Sequence, residues 1–448
     1  MEEHIVIIGN GISGITAARH IRKNSNKRIT IISGETDYFY SRTALMYIYM
    51  GHMKFEHTQP YENWFWEKNR IELKKAYVTH IHTDKKELVL DDQSTMAYDK
   101  LILALGSKPN KFGWPGQNLD GVMGMYHKQD LDLLEQYSVD CNRAVIVGGG
   151  LIGIELAEML RSRNIPVTFL VRESSFWNGV LPDGESEMIN KHILEHHIDL
   201  RLSSNLQEIK ADENGRVKSV IIQETGEELP CNIVGLTAGV SPNIAFLKDS
   251  EIETGRGILV NRYLETNFNN IYAIGDCAEQ RDAIGQRRPI EAVWYTGRMM
   301  GETVAQTICG NRKQYNPGHW FNSAKFLDIE YQTYGWVFSD KIKPDYQETF
   351  HWMAPCSKKC ITVAFHKESK LFLGINTFGI RMRHEIFDKW LTEKRDVFYV
   401  MEHLKDVNFD PEFYEQYEDM IINYFNSEYD TSLKTKKRSW KRILNLSN

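Results

Sequence analysis

Residues 4–22 read HIVIIGNGISGITAARHIR, and residues 143–161 repeat the same design as RAVIVGGGLIGIELAEMLR. Each stretch joins a short apolar run, a turn with the spacing Gly-x-Gly-x-x-Gly, and a segment whose apolar residues recur at helical spacing. The glycines of the two turns are Gly9, Gly11 and Gly14, then Gly148, Gly150 and Gly153. Each stretch therefore predicts a strand, a tight turn and a helix of a parallel α/β sheet.

This glycine spacing is typical of a cradle for the pyrophosphate of a dinucleotide. The first glycine permits the tight turn, the second lets the backbone approach the pyrophosphate, and the third lets helix and strand pack closely. The helix N-terminus then offers free N–H groups and a positive dipole end to the anion. Because the design occurs twice, the sequence predicts a tightly held dinucleotide beside an exchangeable one, with electrons passing between them.

A second strand-like run follows each turn, at 27–35 (KRITIISGE) and at 166–173 (PVTFLVRE). Glu35 lies about 20 residues past the first glycines, where an acidic side chain accepts hydrogen bonds from a ribose diol. A solvated loop charge is the alternative interpretation of Glu35. After the second run, Arg172 suits a 2′-phosphate and Glu173 suits a 2′-hydroxyl, so NADPH and NADH both stay open.

Length and composition predict a globular protein of about three domains. The 448 residues are 42% hydrophobic and 25% charged, and the net charge of −6 does not indicate a nucleic-acid partner. No apolar run approaches the roughly 20 residues of a bilayer span. The first strand begins at His4 or Ile5, which leaves no room for a signal peptide, so we expect a cytoplasmic location.

The cysteines and the C-terminal tail complete the general features. Six scattered cysteines favour reduced thiols over a disulfide framework. Cys356 and Cys360 have a spacing that no common zinc ribbon uses, so we interpret them as structural thiols and predict no metal site. The tail carries a basic cluster, interpreted either as a solvated terminus or as a patch for an acidic partner. Its members are Lys434, Lys436, Lys437, Arg438, Lys441 and Arg442.

Four further segments point to one family. They are YFYSRTALMYIYMG (38–51), YDKLILALGSKP (98–109), LTAGVSPN (236–243) and NIYAIGDCAE (270–279). Together with the glycine turns they resemble the FAD-dependent pyridine nucleotide-disulfide oxidoreductase superfamily, the two-dinucleotide-binding-domain flavoproteins. The closest likeness is to the rubredoxin, ferredoxin and nitrite reductase branch, which lacks the redox-active cysteines.

The resemblance implies an α/β fold of two Rossmann-like, three-layer dinucleotide-binding domains and a smaller α+β C-terminal domain. FAD would bind residues 1–110 and 241–315, and NAD(P)H would bind residues 111–240. Residues 316–448 would form the C-terminal domain, a possible dimer or partner interface. The implied cofactor-binding residues are Gly9, Gly11, Ile12, Ser13, Gly14, Glu35, Arg42, Val78, Ala104, Gly106, Gly275, Asp276, Glu291, Trp294, Gly148, Gly150, Leu151, Ile152, Gly153, Glu155, Arg172, Glu173 and Gly239.

Asp276 also has support from the residues themselves. Ile271 to Ile274 is a short apolar run that ends in Gly-Asp, and ligands of open α/β sheets bind beyond the carboxyl ends of strands. In the family this aspartate binds the ribityl chain of FAD. An aspartate that caps the next helix is the alternative interpretation.

At several positions this sequence lacks residues that the family uses for catalysis, which excludes some of the family's reactions. Ser41, Arg42 and Thr43 stand where related disulfide reductases carry cysteine, and no cysteine precedes Cys141. We therefore exclude reactions in which a cysteine thiol beside the flavin accepts its electrons. The flavin itself would carry the hydride transfer, so no catalytic side chain is required. Tyr47 occupies the position of a lysine near the flavin in the ferredoxin-reductase branch, and both Tyr47 and Glu155 are expected near flavin and nicotinamide.

The leading hypothesis is an FAD-dependent NAD(P)H oxidoreductase. Hydride would pass from NADH or NADPH to FAD, and electrons would then pass to a small carrier such as ferredoxin or rubredoxin. One alternative is a nitrite-reductase-like component or an NAD(P)H oxidase. Another is a flavin-binding sensor or interaction protein similar to apoptosis-inducing factor. The acceptor, the nucleotide preference and the oligomeric state, with a homodimer as one possibility, stay open.

Overall fold

The computed structural model describes residues 2–409 and 415–436. Within them the chain divides into two compact units. The first unit holds residues 2–148, 156–169 and 205–317, and the second holds residues 149–155, 170–204 and the described residues from 318 onward.

The elements up to residue 170 are β1 (His4–Ile8), α1 (Ile12–Asn24), β2 (Arg28–Ser33), α2 (Leu45–Tyr49), α3 (Trp64–Lys68), β3 (Ile71–Lys75), β4 (Val78–His82), β5 (Glu87–Leu90), β6 (Thr95–Ala97), β7 (Lys100–Leu103), β8 (Ser107–Pro109), β9 (Val122–Met123), α4 (Lys128–Tyr137), β10 (Ala144–Val147), α5 (Leu151–Ser162) and β11 (Val167–Leu170). Those from there to residue 308 are α6 (Asp183–Glu195), β12 (Asp199–Arg201), β13 (Leu206–Ala211), β14 (Val217–Ile222), β15 (Glu228–Pro230), β16 (Ile233–Leu236), β17 (Val240–Pro242), β18 (Ile258–Val260), β19 (Ile271–Ala273), β20 (Ala278–Gln280) and α7 (Trp294–Ile308). The remainder are β21 (Phe321–Phe326), β22 (Ile329–Gly335), β23 (Gln347–Met353), β24 (Cys360–His366), β25 (Phe372–Phe378), α8 (His384–Thr392), α9 (Val397–Glu402), α10 (Leu404–Val407) and α11 (Glu418–Tyr429).

A fully parallel sheet forms the centre of the first unit. Its strands lie in the order β19-β7-β1-β2-β3, and all four pairings are parallel. Ile5, Val6 and Ile7 have no exposed surface, as expected of a strand covered on both faces. The predicted strand at 5–8 is therefore confirmed. Because β1, β7 and β19 are parallel neighbours, their carboxyl ends bring three loops to one edge of the sheet.

Helix α7 packs closely on α1, the helix that follows the first glycine turn. A Cβ added at Gly297 would lie 2.6 Å from Ser13 Oγ, and one at Gly301 would lie 2.6 Å from the Ser13 carbonyl oxygen. Glycine at these two positions thus lets the helices approach to backbone contact. This packing fixes the start of α1 beside β19.

A second parallel arrangement follows the second glycine turn. The strands of this sheet that lie in the first unit are neighbours in the order β11-β10-β16-β9, and β16 pairs parallel with both β10 and β9. Every residue of β10 is buried. Two of the segments that carry the family resemblance, 98–109 and 236–243, also meet, because β8 and β17 pair antiparallel. The α/β fold class with parallel, Rossmann-like sheets is confirmed.

The second unit contains an antiparallel sheet in the order β21-β22-β25-β24-β23. Its core includes Phe350, Phe365, Phe387 and Phe425, all fully buried. In this unit β22, β25 and β24 are the inner strands of the sheet, and α8, α9, α10 and α11 follow the sheet along the chain. The tail residues Lys437, Arg438, Lys441 and Arg442 lie outside the described residues.

Across residues 2–409 and 415–436, no helix combines the length and the apolar character that a membrane span requires.

Candidate dinucleotide-binding site

The first glycine turn has the geometry of a phosphate cradle. Gly9 has φ +112°, and a Cβ there would lie 2.1 Å from the carbonyl oxygen of Ala104. At Gly14 a Cβ would lie 2.1 Å from the carbonyl oxygen of Gly9. At Gly11, by contrast, a Cβ would meet no atom within 4 Å. The outer two glycines are thus required by close backbone packing, and the middle one leaves open space where a phosphate fits.

The first two glycines of the second turn match those of the first. Gly148 has φ +118°, and a Cβ there would lie 2.7 Å from the Ala238 nitrogen. The backbone N–H of Thr237 donates to the Val147 carbonyl oxygen at 2.9 Å, which fixes the turn. A Cβ at Gly150 would meet nothing within 4 Å. The predicted residues Leu151, Ile152, Gly153 and Glu155 form the first turns of α5, so their placement agrees with a second cradle.

Glu35 is not a solvated loop charge. It follows β2, and its side chain is only 15% exposed. Arg42 donates to both carboxylate oxygens at 3.0 and 2.7 Å, the Tyr40 hydroxyl donates at 2.5 Å, and the Lys128 backbone N–H donates at 3.0 Å. The structure therefore joins two predicted cofactor residues, Glu35 and Arg42, in one bidentate ion pair.

The surroundings keep this ion pair charged. Burial opposes ionisation of Glu35, but hydrogen bonds from His127 and Arg42 outweigh it and hold the pKa of Glu35 well below its usual range. Burial likewise opposes the charge on Arg42, yet the hydrogen bond to Glu35 raises the pKa of Arg42. The site thus presents a fixed carboxylate beside a fixed guanidinium at the end of β2.

Tyr126 connects this ion pair to Asp276. The Arg42 guanidinium donates to the Tyr126 carbonyl oxygen and lies 4.4 Å from the centre of the Tyr126 ring. The Tyr126 hydroxyl donates to Asp276 Oδ2 at 3.1 Å and accepts the Ser107 N–H at 3.0 Å. The Ser107 hydroxyl donates to the same Asp276 oxygen at 3.2 Å. Loops after β2, β7 and β19 thus converge at one sheet edge.

The alternative interpretation of Asp276 as a helix cap is wrong. The residue lies in a short 3₁₀ turn, Gly275–Cys277, and the next α-helix begins only at Trp294. Burial raises the pKa of Asp276, although hydrogen bonds from Tyr126 and Ser107 oppose this rise. A half-buried carboxylate held by two hydroxyls is suited to bind a ligand hydroxyl.

Most remaining predicted residues line the same edge. Ala104 follows β7 and donates its N–H to the Ile8 carbonyl oxygen at 2.9 Å. Gly106 and Gly275 both have positive φ, and a Cβ at Gly275 would lie 2.3 Å from Ser13 Oγ. Ile12 and Ser13 begin α1, which places them beside the cradle. Gly239 directly precedes β17, and its carbonyl oxygen accepts the Asn110 N–H at 3.1 Å.

Four other predicted residues contact protein side chains away from the Glu35–Arg42 ion pair and Asp276. Val78 begins β4 and packs against the core of the first unit. Trp294 is half-buried and stacks on Phe39 with ring centres 6.2 Å apart. Glu291 is buried and accepts from Arg287 at 2.9 and 3.0 Å. Tyr47 lies in α2, and its ring stacks on His52 at 6.1 Å.

Arg172 and Glu173 pair with each other. The guanidinium donates to Glu173 Oε1 at 2.8 Å, and the Arg172 side chain is 75% exposed. Both follow β11, as the sequence predicts. The pairing leaves the choice between a 2′-phosphate and a 2′-hydroxyl open.

The cysteines show no thiol poised for redox chemistry among the described residues near the first cradle. Cys277 is fully buried, and burial raises its pKa to about 12. Cys360 begins β24 and is buried, whereas Cys356 lies in the preceding turn and is exposed, because the chain is not extended between them.

Sequence reasoning missed Tyr126, Ser107 and Tyr40. Tyr126 lies in the segment GVMGMYHKQD, which matches no phosphate-binding motif. Ser107 directly follows Gly106, and Tyr40 lies two residues before Arg42, so their nearness to predicted residues was the only available signal.

Comparison with known proteins supports the same interpretation. The family model for pyridine nucleotide-disulphide oxidoreductase matches residues 3–304. The chain is 30% identical over 335 residues to the 5,5′-dehydrodivanillate O-demethylase ferredoxin reductase subunit of Sphingobium sp. (strain NBRC 103272 / SYK-6), covering 74% of this chain and 81% of that protein. It is 27% identical over 315 residues to the assimilatory nitrate reductase electron transfer subunit of Bacillus subtilis (strain 168), covering 69% of this chain.

The chain spans only 39% of the length of that Bacillus subtilis protein. Among solved structures, a ferredoxin reductase from Rhodopseudomonas palustris has a TM-score of 0.76 at 22% identity, covering 84% of this chain and 91% of that one. This structural likeness shows the fold. The family model and the 30% identity together decide the family: the chain belongs to the pyridine nucleotide-disulphide oxidoreductases.

Proposed function

We propose that this chain is an FAD-dependent NAD(P)H oxidoreductase that passes electrons to a small carrier such as ferredoxin or rubredoxin. The observation that carries the proposal is the edge where the first cradle, the Glu35–Arg42 ion pair and Asp276 converge. Such an edge offers N–H groups to a pyrophosphate and carboxylates to hydroxyls, which are the polar parts of a dinucleotide.

The protein's own residues bind and orient the cofactors. The open space at Gly11 would admit a pyrophosphate, Glu35 would accept from a ribose hydroxyl, and Asp276 would offer its carboxylate to the ribityl chain. Gly150 provides the corresponding space for the nicotinamide nucleotide. Bound FAD would supply the hydride-accepting ring and release electrons one at a time. Residues 1–110 and 241–315 would hold FAD, and residues 111–240 would hold NADH or NADPH.

The protonation state of the cysteine next to Asp276 favours a small carrier, rather than a disulfide, as the acceptor of electrons from the flavin. Cys277 is the cysteine nearest Asp276 in sequence, and its pKa of about 12 keeps it protonated at neutral pH. Since the thiolate is the reactive form, Cys277 is unsuited to exchange with a disulfide. Electrons would therefore leave without a covalent protein intermediate.

A reductase component of a nitrate- or nitrite-reducing assembly is the second candidate. Its support is the likeness to the Bacillus subtilis electron transfer subunit, a longer protein of which this chain matches a part. The half-reaction with NAD(P)H would be the same, and the acceptor would be a partner domain or subunit. A homodimer formed through residues 316–448 stays a prediction.

The test uses one substitution in each cradle. Gly11 has φ −72°, which any residue adopts, and a new side chain there would meet open space, so Gly11→Val should fold but fail to retain FAD. Gly150→Val should retain FAD, accept electrons from dithionite, and lose reduction by NADH and NADPH. Bound flavin is measured by absorbance, and its reduction is followed anaerobically.

The acceptor is identified with the unmodified chain. We expect turnover with purified ferredoxin or rubredoxin to exceed turnover with oxygen alone by at least tenfold. Turnover with oxygen that no carrier exceeds would favour an oxidase. Wild-type protein that takes up no FAD, or a Gly11→Val variant that binds FAD as tightly as wild type, would contradict the proposal.

A further inference from the structure

Two histidines and one aspartate of the second unit meet although they are distant in sequence. His192 lies in α6 and His196 directly follows its end, so their spacing of four residues puts both rings on one face. Asp328 stands in the two-residue turn between β21 and β22. Its Oδ1 lies 2.5 Å from Nε2 of His192 and 3.0 Å from Nε2 of His196. One ligand atom from each residue lies within 4.8 Å of the others.

We propose that His192, His196 and Asp328 bind one Zn²⁺ ion. Imidazole nitrogen and carboxylate oxygen are ordinary zinc ligands, with bonds of about 2.0–2.2 Å, which places neighbouring ligand atoms roughly 3.3 Å apart in a tetrahedral site. The two separations from Asp328 Oδ1, 2.5 and 3.0 Å, are shorter than this. The Asp328 side chain is 63% exposed and stands on a hairpin turn, so metal binding would have to move this carboxylate away from the two rings.

The surroundings of His192 fit a metal ligand. Its side chain is only 2% exposed, and its Nδ1 is buried without a hydrogen-bond partner among the described residues. Glu195 Oε2 lies 3.8 Å from this nitrogen. A carboxylate behind a histidine is the usual means of orienting a metal-binding ring. Glu195 also pairs with Lys358 at 3.4 Å, so its charge stays compensated.

The position at the end of α6 further favours a cation. The carbonyl groups at the C-terminus of a helix carry a partial negative charge, which attracts positive ions. His196 is 36% exposed, so the ion would face solvent on one side and could keep a water as its fourth ligand. The site would tie α6 to the β21–β22 hairpin. The sequence shows the His-x-x-x-His spacing of His192 and His196, but it contains no local pattern that connects them to Asp328.

The test measures zinc bound to the full chain, produced without a histidine tag and stripped with chelator. Calorimetric titration with Zn²⁺ should show one site per chain in the wild type. His196→Ala and Asp328→Asn should each weaken this site at least tenfold. Co²⁺ as a probe should give the visible absorption of a tetrahedral ion in the wild type and lose it in both variants.

His197→Ala is the matched control, because His197 is the exposed neighbour of His196. It should keep the site unchanged. Melting temperatures in chelator establish that each variant is folded, and flavin content serves as a second check that does not depend on zinc. The proposal is overturned if the wild type binds no more zinc than folded His196→Ala and Asp328→Asn, or if His197→Ala loses zinc as they do.

Discussion

Replacing Glu185 by glutamine should make the protein more stable at alkaline pH. Glu185 lies in the first turn of α6 and is completely buried. Asn376 donates to its Oε2 at 2.9 Å, while Oε1 has no hydrogen-bond partner in the part of the chain that the structure describes. Burial raises the pKa of Glu185 to about 8, although hydrogen bonds with Thr362 and Asn376 oppose the rise. The folded protein therefore holds this carboxyl protonated at neutral pH.

The sign and size of the effect follow from proton linkage. Between pH 4.5 and about 8 the folded chain keeps the proton that the unfolded chain has released, so the free energy of unfolding falls as pH rises. At about 1.36 kcal/mol per pH unit, the loss is about 1 kcal/mol at pH 5.5 and about 5 kcal/mol above pH 8. Glutamine does not titrate, so Glu185→Gln should avoid this loss.

The assay is denaturant unfolding at pH 5.5 and pH 8.5, followed by tryptophan fluorescence. The advantage of Glu185→Gln over wild type should grow by several kcal/mol between the two pH values. Glu187→Gln is the control, because Glu187 is exposed two residues along the same helix. A difference between Glu185→Gln and wild type that is the same at both pH values, or that Glu187→Gln reproduces, would refute the reasoning.

Three further outcomes are expected. Tyr126→Phe removes a donor to the half-buried Asp276 carboxylate and should lower the free energy of unfolding by about 1–3 kcal/mol, measured by denaturation; an unchanged stability would contradict the described hydrogen bond. Gly14→Ala places a Cβ 2.1 Å from a carbonyl oxygen and should cost about 1–3 kcal/mol by the same measurement, so a neutral effect would contradict the close packing. Iodoacetamide at pH 8 should label exposed Cys356 and leave Cys277 unmodified in the native protein, as mass spectrometry can show; rapid labelling of Cys277 would contradict its burial.

The two glycine turns were predictable because they are local. A strand, a turn and a helix within 20 residues are fixed by the spacing of apolar residues and by the backbone freedom that Gly9 and Gly148 require. The same reasoning located Asp276, since a short apolar strand that ends in Gly-Asp places the carboxylate at a sheet edge. The α/β fold and the dinucleotide chemistry therefore follow from residues that are close together along the chain.

The partners of these residues were decided only by tertiary structure. Tyr126 meets Asp276 across 150 residues, and His192 meets Asp328 across 136 residues. Periodicity and motif spacing describe only neighbours along the chain, whereas these contacts depend on strand order and on where a hairpin turn folds back. The sequence by itself thus determined two cradles for dinucleotides, while chain folding alone decided which charged and hydroxyl groups surround the first of them.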